Sequence, residues 1–465
     1  MGSDIRLEHD PLGPVEVPAQ RLYGAQTVRA LRNFPISSRT IAEMPTLIVA
    51  LARVKKAAAR ANLQTDELDA PTAEAIAQAC DEIIAGEWHH EFVVDVFQGG
   101  AGTSTNMNMN EVLANRALVL LGHSPGDHRI LSPNDHVNRS QSTNDVYATA
   151  VRLAVFDLNG LLMKALARLE HSFRIKSKEF AHVRKLGRTQ LQDAVPMTLG
   201  EEFGAFAATL QEDSARAAEV GRLFLEVNMG GTAIGTGIGA NAGYAERIVD
   251  ALREVSGLHV TRAANLIEAT WDMGAFVFYS GFLKRVASKL SKISNDLRLL
   301  SSGPRGGLGE IRLPERQPGS SIMPGKLNPV MPEAMNQVAF RVFGADTTIT
   351  FAAEAGQLQL NAFEPIIMWS IHESVDLLIK GMDALRINCV DGIIADEAAC
   401  RENLLQTTAL ATALVPHLGY ARCAVIAKAA LDRGVDLRTS IASCEPDSLA
   451  LFDRLTGAGE QAQPN

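Results

Sequence analysis

Four short stretches of the 465-residue sequence crowd hydroxyl, amide and ammonium groups at a density that a core would not tolerate unpaired. In QGGAGTSTNMNMNE, Gly99, Gly100 and Gly102 let the backbone turn just before Thr103, Ser104, Thr105 and Asn106. SQSTND, Ser140 to Asp145, carries Ser142, Thr143 and Asn144. GRTQLQDAVP, Gly187 to Pro196, carries Thr189 and Gln190. In GSSIMPGKLNPVMPE, Gly319 to Glu333, Ser320 and Ser321 stand shortly before Pro324, Gly325 and Lys326, with no amphipathic period, which predicts a loop. Its glycines and Pro318 permit a movable lid, and Lys326 supplies the fixed cation that a carboxylate substrate needs. An idle surface loop would leave the hydroxyl pair, the lysine and Asn328 unexplained.

Plainer readings stand beside the chemical ones. Ser142 to Asp145 are the residue types that cap a helix, and taken alone capping explains them better. GGAGTS reads as a glycine turn, because no Lys-Ser/Thr pair follows it as in a phosphate loop. The run GGTAIGTGIGANAGY from Gly230 lacks the G-x-G-x-x-G spacing and a preceding strand, so no dinucleotide site is expected. The 11 histidines form no H-E-x-x-H or similar set, so neither a metal nor any other cofactor is expected. Trp88, Trp271 and Trp369 read as packing anchors within helical apolar patterns.

Positioning these segments falls to helices. No proline occurs from Asn134 to Val195 or from Met197 to Gly303, and a helix interior rarely accommodates one. In the first gap Val155, Leu158, Leu162, Leu166, Leu169 and Phe173 recur every three or four residues, which predicts one apolar stripe. The second gap predicts helices over about 200–227 and about 262–300, separated by the glycine-rich run. A third long stretch, about 335–385, is predicted to kink or restart near Pro365 in NAFEP. Strands are scarce and no β-α alternation is visible, so the fold class is mainly α, with the long helices bundled. Three regions are expected: 1–141 with short helices and loops, 142–393 with the long helices, and 394–465 with short segments and a loose polar tail.

A net charge of -9 with 46% hydrophobic residues fits a folded chain and excludes disorder as its main state. With pI near 5.7 and no cluster of lysine and arginine, it lacks the electrostatic footprint of a nucleic-acid binder. No run of 18 apolar residues predicts a membrane span, and the N-terminus MGSDIRLEHDPLGP lacks a signal-peptide core. The 5 cysteines are dispersed and form no C-x-x-C pair, so we expect reduced thiols and a cytoplasmic protein.

The stretch Gly319 to Pro329 matches G-S-S-x-M-P-x-K-x-N-P, the loop signature of the fumarase/aspartase superfamily, and this chain resembles that family. The other three segments resemble its remaining active-site blocks in order and spacing, so the resemblance covers nearly the whole chain. NPVMPE, Asn328 to Glu333, and EAGQLQLNAFEP, Glu354 to Pro365, look like the aspartase versions of their blocks. The resemblance implies a three-domain, mostly helical subunit, a homotetramer built on the long helices, and active sites each shared by three subunits.

It also implies a reaction, the reversible loss of ammonia from L-aspartate through proton abstraction at C3 and an enediolate. Ser320 would be the base. Thr103, Ser142, Thr143 and Ser321 would hold the carboxylate beside C3, where donors stabilise the developing charge. Lys326 and Asn328, with Thr189 from another subunit, would grip the other carboxylate, and Asn144 would meet the amino group. Gln190 stands where many members carry a histidine on the leaving-group side, and Ser132 in SPND stands where fumarases usually carry histidine at an outer anion site. Glutamine cannot titrate, and both departures lean toward loss of ammonia rather than water. A fumarase, a lyase for another amino- or hydroxy-diacid, and a non-catalytic scaffold remain the alternatives.

Overall fold

In the computed structural model, which describes residues 4–456, the chain is mainly helical. The helices are α1 (Ala25–Asn33), α2 (Pro45–Gln64), α3 (Ala70–Ile84), α4 (Thr103–Leu120), α5 (Thr143–Glu179), α6 (Leu199–Gly221), α7 (Tyr244–Ser256), α8 (Glu268–Trp271), α9 (Gly274–Leu300), α10 (Val330–Glu354) and α11 (Glu364–Asn388). Shorter ones follow: α12 (Glu397–Gln406), α13 (Val415–Leu418), α14 (Tyr420–Arg433), α15 (Leu437–Cys444) and α16 (Leu449–Thr456). Among the described residues the strands form only two-membered sheets. β1 (Ile5–Asp10) pairs antiparallel with β2 (Gly13–Pro18), and β3 (Arg184–Thr189) pairs antiparallel with β4 (Gln192–Thr198).

The chain separates into two compact units. The first takes the chain up to Lys164 together with Ala215–Ala287 and Phe340–Leu378, and the second takes Ala165–Ser214, Ser288–Ala339 and the chain from Ile379 on. In the first unit α2 packs against α3 and α7, and α4 against α3 and α1. Alanines at 50, 52, 57, 58, 59 and 61 are buried along α2, and their small side chains suit close contact with those neighbours. In the second unit α12 packs on β3, while Leu404, Leu410, Leu414, Ile426, Leu437, Ile441 and Phe452 form an apolar core.

The stripe expected on the first long helix is buried throughout, from Val155 to Phe173. α5 is long and apolar enough to cross a bilayer, yet 72% of its most apolar window is buried inside the protein, as in a core helix. Proline 365 does begin a new helix, at the second position of α11.

Three expectations need correction. The helix foreseen from about 262 starts at Gly274, because Asp272 leaves the helical path with ψ 125 and its carboxylate accepts the Gly274 N–H at 3.1 Å. The first region holds helices of 20, 15 and 18 residues rather than only short ones. Trp88 sits in a turn with φ 62, where its indole donates to Glu82 at 2.8 Å and Arg116 stacks on it. The tail foreseen as loose, 457–465, lies outside the described residues.

Candidate active site

The first glycine block turns as its composition demands. Gly100 and Gly102 take φ 88 and φ 87, and even Ala101 sits at φ 54. A Cβ on Gly102 would lie 2.6 Å from the buried Tyr147 ring, so only glycine fits this approach. The turn delivers Thr103 as the exposed first residue of α4, its hydroxyl donating to Gly100 O at 2.7 Å.

The second block is a helix cap and more. Ser142 Oγ accepts the Asn144 N–H at 3.2 Å, and Asp145 Oδ1 accepts the Ser142 N–H at 3.0 Å, which closes a reciprocal box at the start of α5. Capping therefore accounts for Ser142 and Asp145, but not for Thr143 and Asn144. Asp145 is fully buried, and its other oxygen accepts from Gly230 N at 3.2 Å and Thr232 N at 2.9 Å. Burial pushes its carboxyl up to about 6, while the Ser142, Thr232 and Gly230 N–H groups and Lys55 act against that shift. Asn144 Nδ2 donates to Ala233 O at 2.7 Å, which turns Oδ1, an acceptor, the other way. The glycine-rich run that carries no dinucleotide signature thus fastens the second block. Gly235, at φ 92, lets it pass the Leu266–Ile267 backbone, where a Cβ would lie 2.4 Å away.

These two blocks meet inside the first unit. Asn106 Nδ2 donates to Thr143 Oγ1 at 3.0 Å and to Asn138 Oδ1 at 3.2 Å. Beneath them lies a lysine that the sequence reading did not single out. Lys55 Nζ, fully buried, donates to Asn138 Oδ1 at 2.9 Å and Gln141 Oε1 at 3.0 Å. Burial pushes its ammonium down to about 7, with Asp145 pulling the other way. The available signal was its register: Lys55 stands four residues after Leu51 and three before Ala58, where the helical period of α2 calls for an apolar side chain.

The other two blocks lie in the second unit. Thr189 ends β3, and Gln190 and Leu191 form the two-residue turn to β4 at φ 53 and φ 60, the left-handed pair that suits a tight hairpin. Thr189 and Gln190 are exposed. The hairpin is fixed at its base by Lys185, which pairs with Glu202 at 2.6 Å and Glu310 at 2.9 Å, and by Arg188, which pairs with Glu310 at 2.8 Å.

The loop from Gly319 closes on itself. Gly319 N donates to Lys326 O at 2.9 Å, Asn328 Nδ2 donates to Gly319 O at 2.8 Å, and Gly325 turns at φ 79. A Cβ on Gly319 would sit 2.2 Å from Lys326 O. Within this ring Ser320 Oγ accepts the Ile322 N–H at 3.2 Å and the Met323 N–H at 3.1 Å. Two inbound donors leave the hydroxyl proton as the mobile one and favour the oxygen's anionic form. Ser321, Lys326 and Asn328 are exposed, and among the described residues no carboxylate pairs with Lys326. No hydrogen bond joins this loop to the hairpin among the described residues.

Ser132, at the outer position, caps its own turn instead, donating to Asp135 Oδ2 at 3.0 Å. Among the described residues no three His, Cys, Asp or Glu side chains stand close enough to hold a metal.

Hydroxyls at helix starts in the first unit, and in the second a loop with an exposed lysine and a serine that accepts two N–H groups, are donor and base types that a lyase uses to remove a proton beside a carboxylate. A family model described as "Lyase" matches residues 13–344. The chain is 56% identical to the aspartate ammonia-lyase of Pseudomonas canavaninivorans, over 93% of this chain and 91% of that protein. Its fold superimposes on a fumarate lyase:delta crystallin from Brucella melitensis, crystallised bound to cobalt, with a TM-score of 0.95 at 55% identity, covering 98% of this chain and all of that one. A class II fumarase from Schistosoma mansoni superimposes with a TM-score of 0.90 at 33% identity, covering 97% of this chain and 98% of that one. The chain belongs to the fumarase/aspartase superfamily and is a carbon-nitrogen lyase.

Proposed function

We propose that this chain is an aspartate ammonia-lyase in which Ser320 takes the C3 proton of L-aspartate. The observation that carries the reading is the pair of backbone N–H groups aimed at Ser320 Oγ, in a loop that also presents Lys326. Once ionised, Ser320 accepts the proton and the C–H electron pair moves onto the adjacent carboxylate. Ser142, Thr143 and Ser321 donate to the enediolate so formed, and Thr103 joins them once its hydroxyl turns from Gly100 O. Lys326 and Asn328 hold the second carboxylate, with Thr189, and so fix which carbon faces the base. The returning electron pair forms the C2–C3 double bond and the amine leaves C2 as ammonia, past Asn144 and Gln190. An amine that departs already protonated needs little acid help, which suits a glutamine at that position.

The four blocks act together when three copies contribute to one site of a homotetramer. Phe278, Phe340 and Phe351, 62%, 59% and 71% exposed on α9 and α10, support this as apolar faces that other copies cover. The start of α5 at Thr143 and the short segments after Ile394 support the three-region division at 141/142 and 393/394. All 5 cysteines are free thiols, 4 of them buried, and we place the protein in the cytoplasm on that chemistry.

The test offers the purified protein L-aspartate and, separately, L-malate, and follows fumarate in the ultraviolet together with released ammonia. Fumarate from aspartate with equal ammonia supports the reading. Fumarate from malate alone, or from neither, overturns it.

A further inference from the structure

We infer that Lys55 is a positioning residue that sets the direction of a buried hydrogen-bond chain, so that the Thr143 hydroxyl is left to donate into the substrate site. The inference rests on the placement of Thr143 in that site and deepens it. A lysine ammonium has donors and no acceptor, a form that burial confines here to pH below about 7, where the variants are to be compared. The side chains facing Lys55 Nζ must therefore present oxygen, and both do: Asn138 Oδ1 at 2.9 Å and Gln141 Oε1 at 3.0 Å. That fixes the Asn138 amide, whose Nδ2 turns to Gln141 O at 3.2 Å. Asn106 and Asn110 then meet the same oxygen with their own Nδ2 groups, at 3.2 Å and 3.1 Å. With Nδ2 on that side, the remaining proton of Asn106 reaches Thr143 Oγ1 at 3.0 Å. Thr143 Oγ1 is an acceptor toward the protein interior, and its own O–H is free to point outward.

The arrangement is held at a cost. Asn106 Oδ1 and Asn110 Oδ1 are buried without a partner, a pattern expected where amides are oriented by something other than their own best pairing. Without the ammonium the chain reverses. Asn138 can offer its NH₂, Asn106 can turn its oxygen toward Thr143, and the threonine proton is drawn inward. Lys55 touches no substrate in this scheme; it acts through Asn138, Asn106 and Thr143.

A double-mutant cycle in the full-length enzyme tests this. Lys55→Met keeps the stem and removes the donors, and Thr143→Val keeps the shape and removes the hydroxyl. Losing a transition-state donor costs about 10²–10³-fold in kcat, so Thr143→Val should fall in that range and Lys55→Met by about 10- to 100-fold, with KM moving less than about threefold in each. The double variant should match Thr143→Val within about twofold, since the lysine acts only through that hydroxyl. If Lys55→Met does not assemble, Asn106→Ala cuts the same chain and should give the same result. A further loss of about fivefold or more in the Thr143→Val background, or parental kcat in both Lys55→Met and Asn106→Ala, overturns the inference alone. Parental kcat in Thr143→Val overturns the placement of Thr143, and the inference with it.

Discussion

Replacing Ser320 by alanine separates catalysis from stability. The lost oxygen accepts the Ile322 and Met323 N–H groups at 3.2 Å and 3.1 Å, and both residues are exposed. Water takes up those donors, so the fold should lose less than about 1 kcal/mol. The lost base is a different matter. General-base assistance is worth about 10²–10⁴-fold, or about 2.7–5.4 kcal/mol at 1.36 kcal/mol per decade. Initial rates of fumarate formation at saturating L-aspartate give kcat, and a thermal melt and light scattering give the fold and assembly. We expect kcat to fall by at least about 10²-fold with the melt and the assembly unchanged. A folded, assembled Ser320→Ala variant within about tenfold of the parent would refute the assignment of the base.

Other residues offer independent checks. A proton on Asp145 weakens both oxygens as acceptors for the Ser142, Gly230 and Thr232 N–H groups, so kcat should decline as pH falls through about 6, and Asp145→Asn should lose that acid limb while turning over more slowly; an unchanged limb in pH-rate profiles counts against it. For stability the sign is reversed: the raised carboxyl binds a proton in the folded chain that the unfolded chain releases, so its contribution is full below the ordinary 3.8 and declines up to about 6. Gly102→Ala combines φ 87 with a Cβ 2.6 Å from the Tyr147 ring, and urea unfolding should report a loss of about 2–5 kcal/mol together with reduced kcat. Lys185→Met leaves the buried Glu310 with Arg188 as its remaining cation, and the same unfolding assay should show a loss of about 1.5–3 kcal/mol.

Local signals in the sequence carried far where the physics is local. The proline-free gaps and the Val155 to Phe173 stripe located α5, because both follow from the period and chain geometry of one helix. The hydroxyl and loop blocks were visible because Gly102, Gly319 and Gly325 serve needs met within a few residues, or at one close approach. The start of α9 was misplaced because a single carboxylate, Asp272, ends one helical turn and holds the next, which periodicity does not register. Lys55 was missed for a longer-range reason. Its partners Asn138 and Gln141 lie 83 and 86 residues away, and only folding brings them under α2. The task of the glycine-rich run, supplying Gly230 and Thr232 N–H groups to Asp145, was not readable from spacing.

The closed ring from Gly319 to Asn328 ties Ser320 and Lys326, the proposed base and the proposed partner of the second carboxylate, to one frame. Because the Gly319 N–H is bonded to Lys326 O and the Gly319 carbonyl to Asn328 Nδ2, Ser320 and Lys326 keep their register in any displacement of the loop. In the proposed scheme the base and the cation therefore meet the substrate in one register. In the proposed scheme a molecule with a single carboxylate engages only one of the two. In that scheme discrimination against such molecules rests on simultaneity, with no bulky wall required to exclude them.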